Sequence, residues 1–439
     1  MKKVVKFGGS SLASAAQFAK VAQIIKSDKQ RKYVVASAPG KRNSADTKVT
    51  DMLYGCYALA EEGKPFDKEL AAIEARYQEI IDGLELKVSI SDDFKTIAEN
   101  FKAKAGRDYA ASRGEFLNSK LLAAYLGFEF VDAAEIICFK QSGEFNAEKT
   151  NELVEKRLGN VEYAVIPGFY GNTPDGKAKT FSRGGSDITG SIVARAVKAD
   201  VYENWTDVSG VLVADPRIID NPEVIDVITY KELRELSYLG FSVLHEDAIF
   251  PVRVEGIPIN IRNTNDPAAE GTWIVASTCQ KSKYTITGIA GKKGFCSVTL
   301  EKDMMNAEVG FGRKVLQAFE DNDISFEHLP SGIDTMTVLV HQDEFMHKEQ
   351  RVVSALHRLT HPDGIEIESD LALVAVVGRG MKSARGTAGR IFAALAHANV
   401  NVKMIDQGSS ELNIIIGVRN EDFEVAIKAI YDIFVSSRL

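Results

Sequence analysis

The chain has 439 residues, 45% hydrophobic and 26% charged, and its 61 acidic against 53 basic side chains give a formal net charge of −8. That is enough chain for two or three domains of ordinary soluble composition, and the acidic balance, with no long basic tract, leaves sequence-independent nucleic-acid binding without electrostatic support. Cys56, Cys138, Cys279 and Cys296 form no C-x-x-C pair and His357 and His361 lack a ligand partner, so reduced thiols and no protein-held metal are expected.

The apolar run after Lys2-Lys3 stops at Gly8, too short for a leader or a membrane span, so a cytoplasmic protein with no membrane partner is expected. Residues 4–7 read as a buried strand and residues 12–25 as a helix. Lys6-Phe7-Gly8-Gly9-Ser10-Ser11 runs from the end of the strand into the junction between them. Two glycines let backbone amides approach an anion, the helix offers unpaired N–H groups, and Lys6 adds an ammonium. The spacing is neither that of the P-loop nor that of the dinucleotide fingerprint, and a plain structural turn is the alternative.

Further strands are expected at 33–36, 129–131, 163–167, 201–204 and 257–261. Several are continuous apolar runs, as in strands covered on both faces, and helical stretches separate them. The pattern predicts a three-layer αβα sandwich on a mainly parallel sheet over residues 1–280. Residues 51–125 are mostly helical in period and read as a cap over the sheet, with Tyr77, Ile80, Ile81 and Leu84 assigned to packing.

Past residue 280 the pattern changes. Strands are expected at 286–290, 296–300, 324–328 and 335–340, with helices at 312–322 and 348–359. The plan then repeats: strand 371–377, helix 387–398, strands 400–405 and 412–417, helix 422–434. Two β-α-β-β-α units in tandem, at 285–365 and 366–439, form an internal repeat. Each resembles the ACT module, a small ferredoxin-like regulatory domain that binds amino acids between paired copies.

Four more segments carry chemistry. Ser182-Arg183-Gly184-Gly185-Ser186-Asp187 opens a helical run, and an arginine fork suits a carboxylate; a loop capped by Ser186 or Asp187 is the alternative. Trp205-Thr206-Asp207-Val208-Ser209-Gly210, running on to Asp215-Pro216-Arg217, follows a strand where open α/β sheets place ligands; an Asx-type turn with a surface arginine is the alternative. Ser112-Arg113-Gly114-Glu115 sits among apolar flanks that argue for a partly buried carboxylate in need of a cation, although a lone helical glutamate is usually solvated. Ser37-Ala38 and Val49-Thr50-Asp51 offer hydroxyls to a substrate, or are turn and cap residues.

With Pro167-Gly168-Phe169-Tyr170-Gly171 and the stretch from Ile257 to Thr272, these motifs occur in one order that closely resembles aspartate kinase, of the amino acid kinase family, and the tandem ACT pair fits the same family. The resemblance implies ATP-dependent phosphorylation of the aspartate side-chain carboxylate to 4-phospho-L-aspartate, the first step toward lysine, threonine and methionine. By position it implies that Lys6 neutralises the transferring phosphoryl group beside the amides of Gly8, Gly9 and Ser10. Arg183 would clamp the substrate α-carboxylate and Glu115 its α-ammonium. Ser37, Thr50, Gly184 and Ser186 would hold the amino acid, and Asp187 would hold Lys6 or organise the site. Thr206, Asp207 and Arg217 would face ATP, with Mg2+ carried by its phosphates. A carboxylate nucleophile is ionised at pH 7 and needs no general base, which accords with the lack of a histidine or cysteine in these motifs.

Two departures touch the nucleotide side. Ser242 stands where many members have a lysine that helps to hold ATP, and Leu212 where a tyrosine is common. The loop 41–48 is also longer than in short-looped relatives. The resemblance places an effector site in the first ACT unit at Met305, Glu308, Phe311, Gly312, Ser325, Phe326 and Glu327. Acids there favour lysine, with threonine possible. A homodimer or dimer of dimers is expected. The alternatives are a kinase for another amino acid, such as glutamate or acetylglutamate, and a non-catalytic amino acid sensor. At this length, no fused homoserine dehydrogenase is expected.

Overall fold

The computed structural model describes residues 1–182, 184–241, 244, 246–280 and 282–436. They form two compact units: Met1–Val211, Val224–Tyr230 and Val243–Thr278 make the first, and Leu212–Glu223, Lys231–Ser242 and Cys279–Leu439 the second.

The first unit is built on the strands β1 (Lys3–Phe7), β2 (Arg31–Ala36), β3 (Glu129–Phe130), β4 (Ala164–Pro167), β7 (Val201–Thr206), β8 (Val227–Thr229), β9 (Ile259–Asn263) and β10 (Thr272–Val275), with a hairpin of β5 (Tyr170–Asn172) and β6 (Ala178–Thr180) beside them. The sheet runs β3-β4-β2-β1-β7-β9-β10-β8, parallel throughout except for β9 against β10. This is the expected mainly parallel sheet, and the apolar runs of β1, β2 and β4 are buried because helices cover both faces. One layer holds the helices Ala15–Lys26, Val49–Glu61, Asp67–Gly83, Ser91–Lys102 and Arg107–Leu126, packed on Val5, Phe7, Val34 and Ala36. The other contains Gly185–Ala196, which packs on β1, β2 and β7.

The helix expected at 12–25 starts later. A single 3₁₀ turn, Ser10–Leu12, follows the glycines, and the α-helix begins at Ala15, capped by Ser14 Oγ accepting from the Gln17 amide. The hairpin and the short strands β8 and β10 add to the elements expected from the sequence.

The second unit carries an antiparallel sheet of β11 (Gly288–Glu301), β12 (Phe326–His328), β13 (Thr335–His341), β14 (Gly364–Val377), β15 (Met404–Asp406) and β16 (Asn413–Arg419), ordered β12-β13-β11-β14-β16-β15. The two strands expected at 286–290 and 296–300 are one strand, β11. Its register slips around Lys293–Ser297, where Gly294 has φ 94°, so the polar Lys292-Lys293-Gly294 run is an irregularity and not a turn. β13 pairs with one half of β11, from Phe295 to Glu301, and β16 with the far half of β14, from Leu371 to Val377. The division expected between 365 and 366 falls inside β14. Among the described residues no helix is long and apolar enough to cross a membrane.

Candidate active site

Because β1, β2, β4, β7 and β9 are parallel, their carboxyl ends share one edge, where ligands bind in such sheets. The segments that leave it are tied together: the Ser37 amide donates to the Phe7 carbonyl at 3.2 Å, Gly168 to Ala36 at 3.0 Å and Thr264 to Thr206 at 2.8 Å.

Lys6 is 7% exposed, and its Nζ lies 2.6 Å from Asp187 Oδ1. Asn204 Nδ2 donates to the same oxygen at 2.7 Å, and the Tyr202 hydroxyl donates to the Asp187 carbonyl at 3.1 Å. Asn204 was not singled out in the sequence. It is the residue opposite Lys6 in the β1–β7 register, a relation that no local motif announces.

The glycine loop differs from the expected helix N-terminus. The Gly8 amide is committed to the Trp205 carbonyl at 3.1 Å, while those of Gly9 and Ser10 meet no protein acceptor among the described residues. Two donors, not three, therefore remain for an anion, without an α-helix dipole directly behind them. Gly9 is required by close approach, since a Cβ there would lie 2.9 Å from the Ala38 carbonyl oxygen.

Arg183 lies outside the described residues. Beside it, Gly184 takes the left-handed region at φ 58° as the N-cap of Gly185–Ala196, with no side-chain cap, so neither Ser186 nor Asp187 serves as that cap. Ser186 is 9% exposed and presses on Gly168, where an added Cβ would come within 2.6 Å of its Oγ. Phe169 holds φ 79°, uncommon for a bulky side chain, and a Cβ on Gly185 would sit 2.3 Å from its ring. The run of glycines and an aromatic at 167–171 was the only sequence signal for this contact.

Glu115, on Arg107–Leu126, is buried, and its Oε2 has no hydrogen-bond partner among the described residues. Burial raises its carboxyl to about 8, against the lowering effect of the hydrogen bonds from the amides of Ala38 and of Glu115 itself. Gly114 brings this helix against Ala38 and Thr50, whose Cβ and Oγ1 would lie 2.8 and 3.8 Å from a side chain there. One turn on, the buried Asn118 donates to the Ser37 carbonyl at 2.6 Å. Its spacing of three from Glu115 on the same helix is the available signal. Ser37, Thr50 and Glu115 thus gather around Gly114.

Thr206 closes β7 and donates to the exposed Asp207 carboxylate at 3.2 Å. Arg217 belongs to the second unit, is exposed, and is held by Asp215, with Nη2 to Oδ2 at 2.6 Å. Ser242 lies outside the described residues. Among those described, no group of three or more His, Cys, Asp or Glu side chains is arranged to hold a metal ion.

In the second unit, Met305 and Phe311 are buried, Gly312 faces Met336, and Ser325 and Phe326 are exposed. Glu308 is already matched by Lys314 at 2.6 Å and Lys302 at 3.2 Å, so it does not supply the free negative charge expected of it. Glu327 meets His341 Nε2 at 3.2 Å and the Tyr238 hydroxyl.

The amino acid kinase family model matches residues 1–263, and an ACT domain model matches residues 374–434. The chain is 43% identical over 456 residues to aspartokinase 3 of Bacillus subtilis (strain 168), covering 100% of this chain and 99% of that one. The crystal structure of Clostridium acetobutylicum aspartate kinase superposes with a TM-score of 0.88 at 51% identity, over 99% of this chain and 100% of that one. E. coli aspartokinase III aligns in two forms. The complex with aspartate and ADP (R-state) gives a TM-score of 0.74 at 25% identity, over 99% of both chains. The complex with lysine and aspartate (T-state) gives 0.70 at 26%, over 98% and 99%.

Proposed function

The chain belongs to the amino acid kinase family, on its aspartate kinase branch, and from that premise we propose that it transfers the γ-phosphoryl group of ATP to the side-chain carboxylate of aspartate, yielding ADP and 4-phospho-L-aspartate. The observation that carries this reading is the buried Lys6 ammonium held by Asp187 at the carboxyl edge of the sheet, beside the two free amides of Gly9 and Ser10.

The nucleophile is ionised at neutral pH, so catalysis reduces to alignment and charge neutralisation. Lys6 meets charge developing on the transferred group, with Asp187 and Asn204 fixing its direction. Glu115 supplies the one charge the α-ammonium needs; an N-acylated substrate has no cation to offer it. Arg183 forks the α-carboxylate, and Ser37, Thr50, Gly184 and Ser186 line the amino acid. Thr206 and Asp207 face the nucleotide; Arg217, which the resemblance also assigns to ATP, is bonded to Asp215 within the second unit. Mg2+ arrives with ATP, held by phosphate oxygens and water.

The second unit acts as an amino acid sensor, and the product feeds synthesis of the amino acids that it senses. Lysine is the preferred effector, a reading supported by E. coli aspartokinase III, which was solved with lysine and aspartate in its T-state. Calorimetric titration with lysine and threonine tests this, and threonine binding without lysine binding overturns it. The proposed assembly is a homodimer or dimer of dimers, checked by sedimentation. A coupled assay of ADP formation with aspartate, glutamate and acetylglutamate tests the reaction. Faster turnover of glutamate than of aspartate would refute it.

A further inference from the structure

Residues 41–48, between β2 and the helix Val49–Glu61, are mostly exposed, and four of the eight are charged. From beneath, the helix Asp67–Gly83 sends up Arg76, a 5% exposed arginine. Its Nη1 lies 3.0 Å from Asp46 Oδ1 and 3.3 Å from the Thr47 carbonyl oxygen, and its Nη2 lies 3.2 Å from the Gly40 carbonyl oxygen. On the solvent side Arg42 Nε grips the same Asp46 carboxylate at 2.9 Å. A planar fork meets three acceptors in fixed directions, which a single ammonium cannot do.

Two peptide groups run in series through the clamped segment. The Val49 amide donates to the Pro39 carbonyl at 3.2 Å, and the Gly40 amide donates to the Gly9 carbonyl at 2.8 Å. Pro39 C=O and Gly40 N–H are two ends of one peptide; Gly9 C=O and Ser10 N–H are two ends of the next. A planar trans peptide points its carbonyl and its N–H in opposite directions, so holding one end aims the other. The relay thus leads from Val49, the neighbour of Thr50, to the free donor at Ser10. It is also tight, since a Cβ on Gly40 would lie 2.6 Å from the Gly9 carbonyl carbon.

We propose that Arg76 is a positioning residue which, by clamping Gly40, Asp46 and Thr47, sets the aim of the Ser10 amide and the placement of Thr50 together, so that the phosphate and amino acid subsites are organised as one. Arg76 acts through these groups and touches neither substrate. The inference rests on the phosphotransfer reading above.

The test is steady-state kinetics of Arg76→Lys and Arg76→Ala with both substrates varied. Displacement of reacting groups by about 1 Å costs about 100-fold, so kcat/KM for ATP and for aspartate should fall together by about that factor while cooperative unfolding is kept. Low, non-denaturing guanidinium should restore part of the Arg76→Ala rate, and methylammonium should not. A folded Arg76→Lys with both values within about twofold of wild type overturns the proposal, as does a folded Arg76→Ala deaf to guanidinium. Should Arg76→Ala fail to fold, Asp46→Asn on the loop decides: parallel loss of both values supports the clamp, and loss of one or neither refutes it. Wild-type turnover in the same assay keeps the two readings apart, since a wild type that makes no ADP with aspartate fails the functional reading rather than this one.

Discussion

Lys6 and Asn204 face each other across β1 and β7 and converge on one oxygen, Asp187 Oδ1, at 2.6 and 2.7 Å. The ammonium is thereby held with one donor committed and, among the described residues, the others free for an incoming phosphoryl group. Lys6→Met is expected to lower kcat by about 100- to 1000-fold, the usual size of a lost transition-state donor, with little change in fold. Asp187→Asn keeps the shape but removes the charge that anchors Lys6, and a loss of about 10- to 100-fold in kcat/KM for ATP is expected. Initial rates of ADP release check both, and an active Lys6→Met would remove the basis of the mechanism.

Glu115 makes a pH prediction. Its carboxyl stands at about 8 because burial disfavours the charged form and no basic side chain compensates among the described residues. The folded protein therefore binds a proton here that the unfolded chain has lost, so stability falls as pH climbs from about 4.3 toward 8. An ammonium guest needs the ionised form, so aspartate binding below pH 8 expels that proton. KM for aspartate is expected to drop as pH rises toward 8, by up to about tenfold per unit, and to level off above it. Glu115→Gln should flatten that profile, raise KM for aspartate by at least about tenfold and raise the alkaline melting temperature. An unchanged KM profile in the variant would exclude Glu115 from the ammonium site.

How far these features could be read beforehand depends on whether their cause is local. Apolar strands covered on both faces, the close approach at Gly8-Gly9 and the capless glycine start of Gly185–Ala196 are written in adjacent residues, and the mainly parallel sheet follows from them. Asn204 matters through its register with Lys6, and Asn118 through a carbonyl 81 positions away, so neither carries a motif. β8 and β10 are three and four residues long and are held by pairing, β8 on β10 and β10 on β9 as well, which a propensity window does not see. The Lys292-Lys293-Gly294 run has the composition of a turn, yet β14 pairs with Lys292 and Lys293 and again with Phe295, so the strand passes the irregularity at Gly294 without turning back.

A buried network on the sheet makes a prediction about stability alone. Glu203, 1% exposed, accepts from Arg31 Nε at 2.8 Å, Trp205 Nε1 at 2.9 Å and Lys3 Nζ at 3.0 Å. Burial pushes its carboxyl up, but the bonds and charges of Arg31 and Lys3 outweigh that and leave it below the ordinary range. The stabilisation is present above the unfolded value near 4.3 and is lost as pH falls through the lower folded value. Arg31→Met strands most of that charge and should cost about 3–5 kcal/mol, whereas Arg31→Met with Glu203→Leu should recover much of it. Urea unfolding followed by tryptophan fluorescence measures both, and a single variant as stable as wild type would show that Lys3 suffices.

The helix Tyr230–Tyr238 turns one face of residues spaced by three toward the second unit's sheet. Glu232, 0% exposed, accepts from Thr287 Oγ1 at 2.6 Å and from the Arg379 amide at 2.8 Å and Nη1 at 3.0 Å; Glu235 accepts from Asn413 at 2.6 Å, and the Tyr238 hydroxyl bonds Glu327. Positions three apart lie on one side of a helix, so the three contacts load together. Glu232→Gln can accept at one oxygen only and removes the carboxylate charge that Arg379 Nη1 meets there. Unfolding of the second unit should become easier by about 3–5 kcal/mol, and the Glu232→Gln/Arg379→Met cycle should show a coupling of about 0.5–3 kcal/mol. Denaturant unfolding of the four proteins of the cycle supplies the measurement. Additive losses would mean that the two side chains are held by their separate neighbours, and the helix would then lose its role as a single docked face.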